Sequence, residues 1–238
     1  DPDIVDGVLC ATTYVLAPGS TSLQVHHSLY NDGKDKIASP LGTLADTGGF
    51  TEGWTNSAGF QRADISQLTA LSRPQPIDYV LYQGPGVAYG IVPRHKEAGV
   101  EHAQAVVAGV SIFLDGNSSI LDILQKDKFF LHMDPGRGVL QSYDFVVGRD
   151  GADVDAVYRT GNGEEMRDVS GKVDMSGGGP AVGARVGVFL DGNNNGMLDA
   201  TDVDSDGNGQ PDDRILSYFD VKSDGTFAGK VPESLSGR

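Results

Sequence analysis

Apolar residues in this chain come in short runs broken by glycine, proline, asparagine and aspartate. Where the runs are long enough to show a period, the period is two. In LQVHHSLY, alternation sends Leu23, Val25, His27 and Leu29 to one face and Gln24, His26, Ser28 and Tyr30 to the other. The same reading predicts strands over Val5–Val15, Ser22–Tyr30, Asp78–Gln83, Val87–Val92, Val106–Leu114, Phe129–Met133 and Val139–Val147. NDGKD at 31–35 predicts a hairpin turn after Tyr30, and Gly84–Gly86 a tight turn between two strands. Only two segments suit helices. Ile120–Lys126 follows Ser118 or Ser119 as a cap, and Ala152–Arg159 is predicted to end at Gly161.

The polar run GNGEE marks an expected domain boundary near residues 160–168. Beyond it, VSGKVDM, ARVGVFL, ILSYFDV and SDGTFAGKVP read as four further strands. The expectation is therefore an all-β protein with a larger sandwich over 1–160 and a smaller one over 168–238. A glycine count of 33 in 238 residues fits this turn-rich architecture.

Charge narrows the function classes. The formal net charge is −15 and no Lys/Arg cluster offers a phosphate-binding face, which argues against nucleic acid as a partner. Cys10 stands alone, so an internal disulfide and a cysteine-based zinc site are excluded; it is expected as a small buried residue on a strand. No apolar run reaches the ~18 residues a membrane-spanning helix needs. Asp1 and the final SLSGR read as cut ends, with the expectation of a mature or trimmed piece of a longer polypeptide.

Much of the acidity is local. Residues 191–214, DGNNNGMLDATDVDSDGNGQPDDR, hold seven of the chain's aspartates and no basic residue before Arg214. Like charges at that density repel unless something offsets them. The offsets match the calcium-loop pattern D-x-[DN]-x-[DN]-G, with Asp191, Asn193, Asn195 and Gly196 at positions 1, 3, 5 and 6. Met197 at position 7 would give its backbone carbonyl, and Asp199 and Asp202 stand at positions 9 and 12. Oxygens two residues apart in a tight turn converge on one hard cation, and the glycine allows the turn. Leu198 is expected to pin the loop to a core. An aspartate rather than glutamate at position 12 reaches less far, so the expected affinity is that of extracellular modules, about 10⁻⁴–10⁻³ M.

A second register runs through Asp204, Asp206, Asn208 and Asp212. Its position 12 would be Ile215, so Asp202 or Asp213 must close it. This stretch resembles the aspartate-rich loops of thrombospondin type 3 repeats. Two Ca²⁺ ions would stand in for the missing basic residues and stiffen the loop. No flanking helix pair exists to open, so a sensor role is not expected.

The stretch from Val169 to Pro232 resembles carboxypeptidase-regulatory-like and SdrD/Cna-B-type domains. The residues that carry the likeness are VSGKV, GGPAVGARVGVFLDGNNNG and SDGTF. The resemblance implies a prealbumin-like sandwich in a secreted or cell-surface bacterial protein. In the first 150 residues, VHHSLYNDGKDKIASPLGTLADTGGF and YVLYQGPGVAYGIVP are similar to stretches of large bacterial β-sandwiches, including those ahead of regulatory-like modules in secreted PHP-type metallohydrolases. The leading expectation is a calcium-stabilised structural or interaction region, partnered by calcium and by another protein or a glycan at the cell surface. Two alternatives stand beside it: an accessory region of a secreted metal-dependent hydrolase, and a glycan-binding module.

Other candidates carry less. Alternation separates His26 from His27, so they cannot share a metal; one is expected packed and one solvated. His95 and His102 fit no zinc spacing, and His132 and Asp134 suit a strand running into a Pro-Gly turn. Trp54, beside Glu52 on an expected glycine-rich loop, could stack on a sugar or fold onto the core. GPGVAYG precedes no helix, so it makes no phosphate cradle. No catalytic constellation emerges, which leaves enzymatic activity open.

Overall fold

The structure is a computed structural model, and it describes residues 7–39, 42–46, 51–56, 59–62, 75–76, 78–94, 102–107, 110–115, 131–192, 194–198 and 213–233. Within these the chain is all-β with one helix. The strands are β1 (Val8–Leu16), β2 (Ser22–Asn31), β3 (Ile37–Ser39), β4 (Gly42–Asp46), β5 (Thr51–Asn56), β6 (Gly59–Arg62), β7 (Gln75–Pro76), β8 (Tyr79–Gly84), β9 (Val87–Pro93), β10 (His102–Val107), β11 (Val110–Asp115), β12 (Leu131–Met133) and β13 (Gly138–Gly148). Helix α1 (Gly151–Gly161) follows, then β14 (Met166–Lys172), β15 (Arg185–Leu190), β16 (Arg214–Asp220) and β17 (Thr226–Pro232). The pairs β1–β2, β3–β12, β4–β11, β5–β6, β5–β8, β7–β10, β8–β9, β10–β11, β14–β17 and β15–β16 are antiparallel.

The chain divides into two units. The first takes Asp1–Gly48, Asp64–Ile77 and Pro93–Phe145; the second takes Gly49–Ala63, Asp78–Val92 and Val146–Arg238. The boundary expected at 160–168 thus falls inside the second unit. The physical reason lies in α1. Val154 and Tyr158 pack with Tyr79, Leu81, Ala88 and Val146, while Ala152 packs with Phe219 and Val231. A cut after the helix would open both clusters to water.

In the first unit, β1 and β2 form a hairpin in register from Val8↔Asn31 to Leu16↔Leu23, and β13 lies on the other side of β2. A second sheet runs β4-β11-β10-β7. The single strand expected over Val106–Leu114 is split between β10 and β11, which pair with each other, Val107 facing Val110. The NDGKD turn also departs from expectation. It leads to β3, which pairs with β12 and not back onto β2. Asn31 decides this: fully buried, it donates through Nδ2 to the carbonyls of Asp35 and Met133, both at 2.9 Å, and accepts from the Gly33 amide at 3.0 Å. A buried amide left unpaired is costly, so this one fixes the turn against β12. Cys10 is exposed and not buried, because β1 ends its sheet and presents most of its length to solvent.

In the second unit, β9-β8-β5-β6 are neighbours. All six residues of β8 are buried, as expected of a strand covered on both faces. The β8–β9 turn is Pro85–Gly86: proline fixes the first central φ and Gly86 supplies the positive φ of 70° at the second. The four strands expected after residue 165 form two pairs, β14–β17 and β15–β16. Three short motifs meet between them. The Val173 amide donates to the Gly225 carbonyl at 2.8 Å, and the Ala181 amide donates to the Val173 carbonyl at 3.0 Å. A Cβ at Gly225 would come within 2.9 Å of the Val173 carbonyl, and φ there is 83°.

Candidate functional site

The aspartate loop leaves β15 at Leu190 and returns to β16 at Arg214, so both its ends are tied to one antiparallel pair, Leu190↔Arg214. At the exit, the Asp191 carboxylate receives two successive amides, Asn195 N at 3.1 Å on Oδ1 and Gly196 N at 2.7 Å on Oδ2. The Asn195 side chain in turn accepts from the Met197 amide at 2.7 Å. The backbone needed for this turn is left-handed at Asn194 (φ 58°) and Gly196 (φ 77°), the two residue types that enter that region at least cost. Closing the other end, Asp213 is fully buried and accepts from the Gly192 amide at 3.0 Å.

Among the predicted ligands, the structure thus places Asp191, Asn195 and Met197. The amides of positions 5 and 6 close on the carboxylate at position 1. Asn193, Asp199, Asp202, Asp204, Asp206, Asn208 and Asp212 lie outside the described residues. Among the described residues no three His, Cys, Asp or Glu side chains converge as a ready-made metal site. The donors present are all oxygens, which suits a hard cation and not a thiophilic one. Leu198 does not pin the loop: it is 47% exposed, and Met197 is exposed beside it, since the bend gripped by Asp191 turns the following residues outward.

The other candidates resolve as follows. His26 and His27 do point opposite ways, yet neither is simply packed or solvated. His26 Nδ1 lies 2.8 Å from Ser142 Oγ, while His27 lies 2.9 Å from Thr12 Oγ1 and 3.2 Å from Tyr143 Oη. Both are half-buried and tied to neighbouring strands. Glu52 and Trp54 sit in β5, opposite Tyr82 and Val80 of β8, and not on a loop. His102 opens β10 opposite Asp115, and His132 pairs with Ala38. Asp134 reaches Lys36 at 3.5 Å. His95 and the helix expected over 120–126 lie outside the described residues.

Sequence reading missed the ionisable groups around α1. Asp150 caps the helix: Oδ1 accepts from the Asp153 amide at 3.3 Å, and Oδ2 accepts from the Asp220 amide at 3.1 Å. Burial pushes its carboxyl up to about 6, outweighing those two bonds. Asp153 returns the favour to the chain before the cap, accepting from the Arg149 amide at 2.8 Å and from its guanidinium at 2.8 and 2.7 Å. Burial opposes ionisation there, but the Arg149 bonds win and hold the Asp153 carboxyl below its usual range. One turn on, Asp155 and Arg159 pair in the interior, with the Tyr79 hydroxyl donating to Asp155 at 3.0 Å. The signal was present: D-x-x-D at a helix start and Asp–Arg four apart.

No protein-family model matches the chain, and no curated protein matches it. Among solved structures it is similar to a provisionally assigned aldose 1-epimerase of Escherichia coli K12, with a TM-score of 0.31 and 13% identity over 60% of this chain and 66% of that one. It is also similar to a polysaccharide lyase, with a TM-score of 0.37 and 10% identity over 98% of this chain and 31% of that one. A provisionally assigned aldose 1-epimerase of Klebsiella pneumoniae subsp. pneumoniae MGH 78578 gives a TM-score of 0.32 and 14% identity over 67% and 52%. The chain spans less than two thirds of each of these proteins. Likeness this shallow carries no functional argument.

Proposed function

We propose that this chain is a calcium-stabilised structural or interaction region of a secreted or cell-surface protein. The observation that carries the reading is the grip of Asp191 on the amides of Asn195 and Gly196, at the offsets a calcium loop requires. A carboxylate oxygen that accepts one amide keeps a lone pair for a cation. The cation would neutralise the neighbouring aspartates and order the link between β15 and β16. Ordering that link would in turn stabilise the strand pair whose Phe219 anchors the core beneath α1.

The reading is tested by chelation. Removing calcium is expected to lower the melting temperature and to speed proteolysis within 191–213. An unchanged melting curve together with an unchanged digestion pattern would refute it.

A further inference from the structure

A second place of chemical interest lies entirely within the second unit and uses none of the aspartate-loop ligands. The tip of the β8–β9 hairpin, the start of α1 and the segments before β15 and after β16 enclose a cavity of about 640 Å³. That is the size of a small-molecule site. Its walls bring Arg149, Arg185 and Lys222 together with Asp150 and Asp220, three cations against two anions in a chain of net charge −15. Asp153, just outside this lining, neutralises Arg149, so the lining holds no surplus of positive charge.

The three cations differ in how they are engaged. Arg149 is held on Asp153 through two bonds. Arg185 gives only Nε, at 3.0 Å, to Asp220 Oδ1, and its guanidinium carbon lies 4.6 Å from the centroid of the Tyr218 ring. Its two terminal nitrogens have no hydrogen-bond partner among the described residues, and neither has the Lys222 ammonium. Arg185 is nonetheless fixed in place. Gln83 Nε2 donates to Asp220 Oδ2 at 2.6 Å, and Gln83 Oε1 accepts from the Tyr218 hydroxyl. The acid that orients Arg185 and the ring beneath it are thereby bridged by one amide. A guanidinium held over an aromatic face with two unpaired terminal nitrogens suits a planar carboxylate. Val182, 63% exposed, and Pro85 give the same cavity an apolar side.

We propose that this cavity binds a small organic monocarboxylate, with Arg185 and Lys222 holding its carboxylate and Asp150 and Asp220 accepting from its hydroxyl or amino hydrogens. A phosphate dianion would bring a second negative charge against the two aspartates. A sugar acid and an amino acid both offer the required group, the first with hydroxyls and the second with an ammonium.

The test is a titration of the chain, run both in calcium and in chelator and followed by amide chemical shifts, with D-glucuronate, L-alanine and inorganic phosphate in turn. Saturable shifts confined to residues 83–86, 149–151 and 220–223 are expected with glucuronate or alanine, and the compound that acts identifies the source. Binding should weaken at least tenfold in Lys222→Gln, an exposed position whose replacement leaves the fold intact, and in Arg185→Gln. Three results would overturn the proposal: no saturable shift with either carboxylate, undiminished binding in Lys222→Gln, or phosphate binding as tight as the better carboxylate. None of these depends on whether the aspartate loop takes calcium.

Discussion

Asp155 and Arg159 stand one helical turn apart on α1, and Arg159 Nε donates to Asp155 Oδ2 at 2.6 Å with the two side chains only 3% and 8% exposed. Arg159 also reaches Glu164 at 2.8 Å. Burial pushes the Asp155 carboxyl up, even though Arg159 and the Tyr79 hydroxyl oppose it. Burial likewise lifts the Tyr79 phenol well above its usual range, and the Asp155 charge adds to that. A pair this deep adds less stability than its geometry suggests, because both charges have left water. Breaking it is another matter. Arg159→Met is expected to cost about 3–5 kcal/mol by stranding the carboxylate. Asp155→Asn combined with Arg159→Met should cost less than Arg159→Met alone, as measured by urea unfolding.

Asp150 predicts a pH dependence. Its carboxyl is raised from 3.8 to about 6, chiefly by burial, so the folded chain binds this proton more tightly than the unfolded chain. Its contribution is therefore fully present below about pH 3.8 and is lost as pH rises through about 6. A shift of that size corresponds to roughly 3 kcal/mol, at 1.36 kcal/mol per pH unit. Asp150→Asn removes the titration and one of the two amide bonds. The difference in unfolding free energy between wild type and Asp150→Asn, followed from pH 4 to 7, should change in favour of the variant as pH rises. A flat difference would show that Asp150 titrates alike in both states.

Gly90 faces α1 so closely that an added Cβ would lie 2.5 Å from Val154 Cγ1 and 3.0 Å from the Val80 carbonyl. Gly90→Ala is expected to cost about 1–3 kcal/mol by overpacking. Val154→Ala frees one of the two contacts at the expense of a cavity. The double variant should therefore be more stable than the two single losses predict, which a double-mutant cycle measures.

How much of this was legible in sequence varied with the length scale of the interaction. Strands β1 and β2, the tight turn within Gly84–Gly86, α1 and the four late strands follow from period and turn chemistry, which act over a few residues. What failed was decided at long range. NDGKD reads as a hairpin turn, yet the Asn31 amide finds the Met133 carbonyl, 102 residues on, and the next strand pairs there. Glu52 and Trp54 read as loop because GGFTEGW is rich in glycine, yet β8, buried on both faces, recruits them as a strand. The boundary near 160 looked sound because GNGEE is polar. The sequence around it could not show that Val154 and Ala152 look into different clusters of one unit. In the site, the turn at Gly196 was readable from the local motif, whereas the Asp150 cap bonds an amide 70 residues away.

Glycine at position 196 should matter more than its exposure suggests. Among the described residues, its chain neighbours aside, no atom stands within 4 Å of where its Cβ would be, and φ is 77°. Gly196→Ala is expected to destabilise the loop by about 1–2 kcal/mol per residue forced left-handed, while Gly196→Asn should be milder. Limited proteolysis of the two variants within 191–213, in calcium, ranks them directly.

The most direct test compares the unfolding free energy of wild type and Asp191→Ala with and without calcium. At about 10 mM calcium and a dissociation constant of about 10⁻⁴–10⁻³ M, one site should stabilise the wild type by about 1.4–2.7 kcal/mol. Asp191→Ala should lose most of that increment, and the loss of its bonds from the Asn195 and Gly196 amides should show separately as a lower stability in chelator. Equal stability of the wild type in calcium and in chelator, or an equal calcium increment in Asp191→Ala, would contradict the account.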